Sequence, residues 1–234
     1  MNVLAFDTCF GALSVALRWR SARGEILVRE AYEERETGHA ERLLPMIEDV
    51  MEGAGRRFSD LDRLAVTLGP GSFTGLRIGI ATARALSLAT KLPVVGMTSL
   101  AIMAARADHL LGAKRNGRRL TVAVDARRGH LYVESFGENA GDSVSAARLL
   151  TPDMAKRELA TCPTLAVGSG ARVLAESGDS DSAMEAMLPA LQPHARFLAL
   201  FAPLLTPLDT VLPLYLRDAD AKVPIGAALP RSQT

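Results

Sequence analysis

The chain reads LAVTLGPGSFTGLR at residues 64–77, an apolar run followed by a glycine-rich turn. Residues 64–68 are typical of a β-strand, and the small and apolar residues from 74 to 90 predict a helix. The junction between them offers free backbone N–H groups and a favourable helix dipole to an anion. It is neither a P-loop, since the Lys-Ser/Thr pair is missing, nor a dinucleotide fingerprint, since Thr74 replaces the third glycine. An anion site and a closely packed structural turn both remain compatible with this stretch.

Outward from this stretch, the chain alternates between strand-like and helix-like periods, which indicates α/β layers. The N-terminal β-rich runs are joined by short turns and predict an antiparallel meander. A second, shorter unit downstream has a similar order of predicted strands and helices. The predicted strands are 3–7, 13–19, 25–32, 64–68, 94–97, 120–124, 131–136 and 164–167, and the predicted helices are 39–54, 74–90, 100–111 and 152–159.

Composition excludes some classes of function. Of the 234 residues 48% are hydrophobic, enough for a substantial core, and the formal net charge is +1. This balance argues against a nucleic-acid binder that acts alone, because affinity for phosphates needs a concentrated basic face. Cys9 and Cys162 are too few for a disulfide framework and indicate buried thiols in a reducing compartment. We find no targeting signal and no apolar run long enough for a membrane span, and expect a cytoplasmic protein.

Other stretches carry chemistry of their own. Asp7 closes the first apolar strand before a tight turn, where backbone N–H groups and a carboxylate can surround an anion and its cation. A turn-capping role for Asp7 is the plainer alternative. The run DARR at 125–128 places an acid and two bases at a hairpin tip, which solvated turn charges also explain. HAERLLP at 39–45 opens the first predicted helix, and PLYLR stands at 213–217.

These strings, together with GPGSFTGLR at 69–77, resemble the TsaB (YeaZ) family and its relative TsaD in content and order. The resemblance extends from residue 3 to about residue 222. It implies an α/β, two-lobed fold of the actin, heat-shock ATPase and sugar kinase (ASKHA) type, with mixed sheets flanked by helices. It also implies that the chain closes back on its first lobe. We therefore expect a first lobe of residues 1–100 plus 212–234 and a smaller, degenerate second lobe of 101–211.

The same resemblance implies a role in making threonylcarbamoyladenosine in tRNA. TsaD is the catalyst of that family, with a metal site that includes two histidines. Ser99 and Met103 stand at the histidine positions here. A hydroxyl is a poor ligand and a thioether suits soft copper, so we expect no metal site and no catalytic residue. The histidines of the chain also form no H-x-x-x-H pair; they are His39, His109, His130 and His194.

Nucleotide binding is the remaining chemistry that these turns can support. Cys9 stands where a glycine would let a phosphate approach, and its Cβ hinders that approach. The second-lobe turn at 168–170 is short. We expect weak or no ATP binding and no resident cofactor. The candidate nucleotide-binding residues are Asp7, Thr8, Gly69, Gly71, Ser72, Gly168 and Gly170.

Surface contacts are the function that the resemblance implies instead. The helices at 39–54 and 74–90 would pair with the same helices of a TsaD-type paralogue in a four-helix bundle. Gly75, Gly79 and Ala83 give the second helix a smooth face, although a core-facing side would have the same composition. Exposed apolar surface would mark such an interface. The candidate interface residues are His39, Leu43, Leu44, Ile47, Met51, Thr74, Arg77, Ile78, Ala81 and Leu88.

The hypothesis is therefore a non-catalytic scaffold subunit that activates the TsaD-type paralogue. The resemblance implies an ATPase subunit, TsaE, as a further partner, a homodimer when the chain is alone, and only indirect contact with tRNA. A stand-alone ATPase or small-molecule kinase remains the alternative that Asp7 and the fold allow. A peptidase would need a metal pair or a nucleophile set that the sequence does not offer. It stays open whether a basic run touches tRNA or only water; the run comprises Lys114, Arg115, Arg118 and Arg119.

Overall fold

The computed structural model describes residues 1–137, 142–160, 163–176 and 184–217. Within this part of the chain, no helix is both long and apolar enough to cross a membrane. The strands are β1 (Val3–Asp7), β2 (Ala12–Arg20), β3 (Ile26–Glu34), β4 (Arg63–Thr67), β5 (Val94–Met97), β6 (Arg119–Asp125), β7 (Leu131–Phe136), β8 (Ser143–Leu150), β9 (Thr164–Val167) and β10 (Met184–Met187). The helices are α1 (His39–Gly53), α2 (Phe73–Thr90), α3 (Ser99–Leu111), α4 (Pro152–Leu159), α5 (Ala171–Ala175) and α6 (Ala195–Phe201).

The strands form two five-stranded mixed sheets with the same internal order. In the first sheet, β3, β2 and β1 form an antiparallel meander, and β4 and β5 continue it in parallel. In the second sheet, β8, β7 and β6 form the meander, and β9 and β10 continue it in parallel. The same α/β unit therefore occurs twice, which confirms the predicted two-lobed fold of the ASKHA type with mixed sheets flanked by helices.

Two helices, α1 and α2, pack against the first sheet and against each other. The apolar stripe of α1 enters the core, where Leu43, Ile47 and Val50 are at most 2% exposed. Burying one such side chain contributes roughly 1.5–3 kcal/mol. The helical periodicity predicted for residues 39–54 is confirmed, and its apolar face points at the sheet.

A middle layer of helices joins the two sheets. α3 packs on β6 and β7, α6 packs on β1 and β2, and the two helices contact each other. The backbone N–H of Ala195 donates to Oγ of Ser14 at 2.9 Å, which ties α6 to the first sheet. α6 thus packs against the first sheet, whereas we expected residues 101–211 to belong to the second lobe. We propose that the chain returns to the first lobe just before α6; residues 218–234 of the expected first lobe lie outside the described residues.

Candidate functional site

A cluster of polar side chains is sealed at the end of β1. Oγ1 of Thr67 donates to Oδ1 of Asp7 at 2.5 Å, and Sγ of Cys9 donates to Oγ1 of Thr67 at 3.1 Å. Asp7 and Cys9 are 0% exposed. Burial raises the pKa of the Asp7 carboxyl, and the hydrogen bonds from Thr67 and Cys9 only partly oppose that rise. In this conformation the carboxyl has no access to solvent or to a ligand.

The same burial disfavours ionisation of the thiol in this cluster. Burial and the neighbouring Asp7 raise the pKa of the Cys9 thiol well above its ordinary value. The thiolate is the nucleophilic form of cysteine, so a raised pKa disfavours reaction. Cys9 is a buried free cysteine, as expected; Cys162 lies outside the described residues.

The glycine-rich turn packs directly on the turn between β1 and β2. A Cβ on Gly71 would lie 2.5 Å from the carbonyl oxygen of Cys9, and one on Gly75 would lie 2.0 Å from that of Thr8. The N–H of Ser72 donates to the Cys9 carbonyl at 2.7 Å, and Oγ1 of Thr8 donates to the Gly75 carbonyl at 2.7 Å. Close packing of backbone on backbone therefore accounts for these glycines. Thr8 is buried beneath the turn.

Three other candidate glycines also lie close against backbone atoms of the folded chain. A Cβ on Gly69, which has φ of 108°, would meet the carbonyl oxygen of Leu214 at 2.9 Å. A Cβ on Gly168 would lie 2.5 Å from the carbonyl oxygen of Ala123, and one on Gly170 would lie 3.3 Å from the same atom. Each of these glycines permits a close backbone approach in the folded chain.

A cleft of about 720 Å³ opens between the two lobes. Of the candidate nucleotide-binding residues, only Gly71 and Ser72 line it; Asp7, Thr8, Gly69, Gly168 and Gly170 do not. Reasoning from sequence missed most of its lining, because these side chains come from segments that are far apart along the chain. Charged and polar side chains in the lining include Glu36, Asp125, Arg127, Gln192, Tyr215 and Arg217. The run DARR had drawn attention to Asp125 and Arg127, and the run PLYLR had drawn attention to Tyr215 and Arg217.

The two positions compared with metal-binding histidines lie in the core. Oγ of Ser99 donates to the carbonyl oxygen of Pro70, and Ser99 is 0% exposed. Met103 is 1% exposed, and its methyl group lies 3.2 Å from the place of a Cβ on Gly168. Packing occupies both side chains. Within the described ranges, no group of three or more His, Cys, Asp or Glu side chains is arranged to hold a metal.

The basic run after α3 is partly used in internal pairs. Arg115 is 5% exposed and donates to the carboxylate of Asp108 and to the carbonyl of Gly137. Arg118 donates to Glu185 at 2.7 Å across to β10. Two of the four cations therefore serve the fold of the second lobe, which reduces the charge that this run presents to solvent.

The ten candidate interface residues divide into two groups. His39, Leu43, Ile47 and Met51 are at most 7% exposed and pack toward the first sheet, so they cannot contact a partner in this conformation. Gly75, Gly79 and Ala83 are buried as well, which identifies that smooth side of α2 as core-facing. The remaining candidates are exposed or half-buried; we call them the α1–α2 face, comprising Leu44, Thr74, Arg77, Ile78, Ala81 and Leu88.

Sequence comparison identifies relatives of this chain. A family model described as "TsaD: tRNA N6-adenosine threonylcarbamoyltransferase" matches residues 32–174. The tRNA threonylcarbamoyladenosine biosynthesis protein TsaB of Escherichia coli is 40% identical over 136 residues, 56% of this chain and 53% of that protein. The TsaB of Haemophilus influenzae is 31% identical over 180 residues, 73% of this chain and 72% of that protein. The chain thus aligns with about half of the first relative and nearly three quarters of the second.

Solved structures resemble the chain over nearly all of its length. YeaZ from Pseudomonas aeruginosa superposes with a TM-score of 0.76 at 30% identity, covering 92% of this chain and 99% of that one. A P. aeruginosa protein described as similar to peptidase YeaZ gives a TM-score of 0.74 at 31% identity, with the same coverage. With these similarities in sequence and fold, the chain belongs to the TsaB (YeaZ) family.

Proposed function

We propose that this chain is a non-catalytic subunit that binds and activates a TsaD-type paralogue. The complex would transfer threonylcarbamoyl to adenosine-37 of tRNAs that read codons beginning with A. Support comes from relatives whose names place them in tRNA threonylcarbamoyladenosine biosynthesis, and from the TsaD family model. TsaE would supply ATPase activity, tRNA would be reached through the paralogue, and the chain would form a homodimer when alone.

The observation that carries the proposal is the exposed stripe on α2. Thr74, Arg77, Ala81 and Leu88 recur at spacings of three, four and seven residues, which places them on one side of a helix. Leu88 is 73% exposed, and Leu44 of the neighbouring α1 is 50% exposed. Covering apolar surface stabilises a complex by roughly 25 cal/mol per Å². A helix pair with such a stripe favours another helical surface as its partner.

Two internal features support the non-catalytic part of the proposal. Ser99 and Met103 are packed into the core at the positions where the family resemblance implies histidines in the catalyst. Asp7 and Cys9 are sealed from solvent, so neither offers a base or a nucleophile to a substrate. The contribution of this chain would then come from its surface.

Co-elution on a sizing column with the TsaD-type protein of the same organism tests the partner. We expect a stable mixed complex with the parent chain and none with Ala81→Glu, because the new carboxylate would be desolvated at the interface. Met154→Glu is the matched control, since Met154 is 51% exposed on α4 in the second lobe. If Ala81→Glu binds as well as Met154→Glu, the α1–α2 face is not the interface.

A tRNA modification assay tests whether this chain is catalytic or only activates the paralogue. Purified chain is incubated with tRNA, the activated donor threonylcarbamoyl adenylate and ATP, with and without the TsaD-type paralogue and TsaE. We expect no threonylcarbamoyladenosine without the paralogue, and formation that depends on this chain when all subunits are present. Product from this chain alone would overturn the non-catalytic assignment.

The interlobe cleft favours the second candidate, a stand-alone ATPase or small-molecule kinase. Its volume of about 720 Å³ lies in the range of ordinary small-molecule sites. On this alternative, equilibrium dialysis would show ATP binding that Arg127→Ala weakens, because Arg127 lines the cleft. The absence of binding at millimolar ATP would remove the alternative and leave the partner-binding proposal unaffected.

A further inference from the structure

The segment from Val211 to Arg217, which we call the strap, fastens the end of the described chain to both lobes. At its start, Nε of Arg84 on α2 donates to the Val211 carbonyl at 2.9 Å. In its middle, the N–H of Leu214 donates to the carbonyl of Leu68 at 2.7 Å, just past the end of β4. The first half of the strap is therefore anchored to the first lobe.

The end of the strap reaches the second lobe. The two terminal nitrogens of Arg217 donate to the carbonyls of Ala126 at 2.7 Å and Arg127 at 3.2 Å. Both acceptors belong to the tip of the β6–β7 hairpin, which also lines the interlobe cleft. One guanidinium thus spans from the first-lobe strap to the mouth of the cleft.

This hairpin tip holds a strained backbone. Arg127 and Arg128 have φ of 63° and 53°, and Gly129 follows with φ of 69°. The left-handed region is unfavourable for residues with a Cβ, and two in succession are unusual. Such a conformation persists only where its surroundings hold it. The two bonds from Arg217 are part of that support.

Just before Arg217, the strap contacts the first turn of α2. The hydroxyl of Tyr215 accepts from Nε of Arg77 at 3.3 Å, and the Tyr215 ring lies 5.4 Å from that of Phe73. Cζ of Arg77 lies 3.7 Å from the centre of the Phe73 ring. Phe73 is 40% exposed and Tyr215 is 42% exposed. These side chains border the α1–α2 face, where a bound protein could cover them.

We propose that Tyr215 and Arg217 couple the first turn of α2 to the strained hairpin at the cleft mouth. When Arg77 and Phe73 hold Tyr215 in place, Arg217 is held in place as well, because it follows two residues later in the strap. Arg217 then stabilises the left-handed conformation of residues 127–129. A protein that covers this end of α2 would in turn hold the cleft mouth in one conformation. That last consequence rests on the proposed function; the coupling within the chain does not.

Amide hydrogen exchange tests the coupling in the isolated chain. The reporters are the N–H groups of Ala126 and His130, which donate within the hairpin to His130 and Arg127. Arg217→Gln should accelerate their exchange about tenfold and Arg77→Gln about threefold, on the scale of one or two surface hydrogen bonds. In a chain that already carries Arg217→Gln, adding Arg77→Gln should change the exchange rates of these two N–H groups by less than about 1.5-fold. The hydrogen bonds that would transmit its effect to the hairpin are then already lost.

Arg84→Gln is the matched control. Arg84 also lies on α2 and also bonds the strap, but upstream of the Leu214 anchor. The Arg84→Gln substitution should therefore leave the exchange rates of Ala126 and His130 unchanged. The proposal is overturned if Arg77→Gln has no effect on the reporters, if Arg84→Gln has the same effect, or if Arg77→Gln acts equally with and without Arg217.

Exchange with the TsaD-type protein added separates the two proposals. Protection of both the α1–α2 face and the hairpin in the parent chain, with hairpin protection lost in Arg217→Gln, supports both. Protection of the face without the hairpin keeps the partner and rejects the transmission of its binding. Protection of neither rejects the partner, while the exchange results on the isolated chain still decide the coupling.

Discussion

Thr67 and Asp7 are joined by a 2.5 Å hydrogen bond between the neighbouring parallel strands β4 and β1. Thr67→Val keeps the shape of the side chain and removes the donor, leaving Oδ1 of a fully buried carboxyl without it. We expect a loss of about 1–3 kcal/mol in the free energy of unfolding, measured by urea denaturation.

The control for this substitution is Thr121→Val. Oγ1 of Thr121 shares a buried hydrogen bond of 2.9 Å with Oγ of Ser135, and neither group carries a charge. A neutral pair of this kind contributes about 0.5–1.5 kcal/mol. A cost for Thr67→Val that is no larger than the cost for Thr121→Val would contradict a special dependence of Asp7 on Thr67.

The pH dependence of stability should change in Asp7→Asn. Burial raises the pKa of Asp7 above its ordinary value of 3.8, so the folded protein binds this proton more tightly than the unfolded chain. The resulting stabilisation is complete below the ordinary pKa and is lost as pH rises through the folded pKa. Asparagine does not titrate, so the variant should gain stability relative to the parent as the pH rises above about 4. A stability difference that stays constant as the pH rises from about 4 would contradict the raised pKa.

His194 should make the protein less stable in mild acid. Its ring stacks on Tyr32 with centroids 5.0 Å apart. Burial lowers its pKa from 6.5 to about 4, against the opposing charge of Glu30 and with help from Arg106 and Arg196. The unfolded chain then binds the proton first, so stability is complete above pH 6.5 and is lost as pH falls toward about 4.

The size of this effect is on the order of 1–3 kcal/mol, reduced by the partial exposure of the ring. His194→Asn tests it by unfolding across this pH range. His194 caps α6 through the N–H of Arg196 at 3.2 Å, and asparagine is also a good cap. The variant should therefore keep the helix start and show a flatter pH profile. An unchanged slope would assign the acid sensitivity to other groups.

Close packing at the glycine-rich turn predicts a sharp difference between two glycines. In Gly75→Ala the new Cβ would lie 2.0 Å from the carbonyl oxygen of Thr8, a backbone atom that cannot move alone. We expect a loss of about 3 kcal/mol or more. In Gly55→Ala nothing lies within 4 Å of the Cβ, and φ of 62° is the only penalty, about 1–2 kcal/mol. Thermal unfolding of both variants checks the order, and equal losses would contradict it.

Local periodicity was enough to predict many elements. The strands at 94–97, 131–136 and 164–167 and the helix at 152–159 have the predicted bounds. Their signals come from side chains that alternate between core and solvent, or recur at helical spacing, within one short segment. Such signals need no knowledge of distant partners.

Other elements left no such signal. β8 reads SVSAARLL, and only Ala147 and Leu150 in it are buried, so alternation is faint. α6 reads ARFLALF and lies between the first sheet and α3, with apolar residues on most sides. A helix that is apolar all round has no stripe to detect. Both elements depend on what the rest of the chain places beside them.

By itself, the sequence determined the two-lobed α/β class and the family, because its motifs occur in order along the chain. It also determined that serine and methionine stand at positions 99 and 103. Only the tertiary structure decided which residues are reachable. Leu43 and Leu44 are neighbours in one helix, yet one is 1% and the other 50% exposed. Asp7 is sealed by Thr67, sixty residues away. Exposure depends on contacts between distant segments, and those contacts exist only in the folded chain.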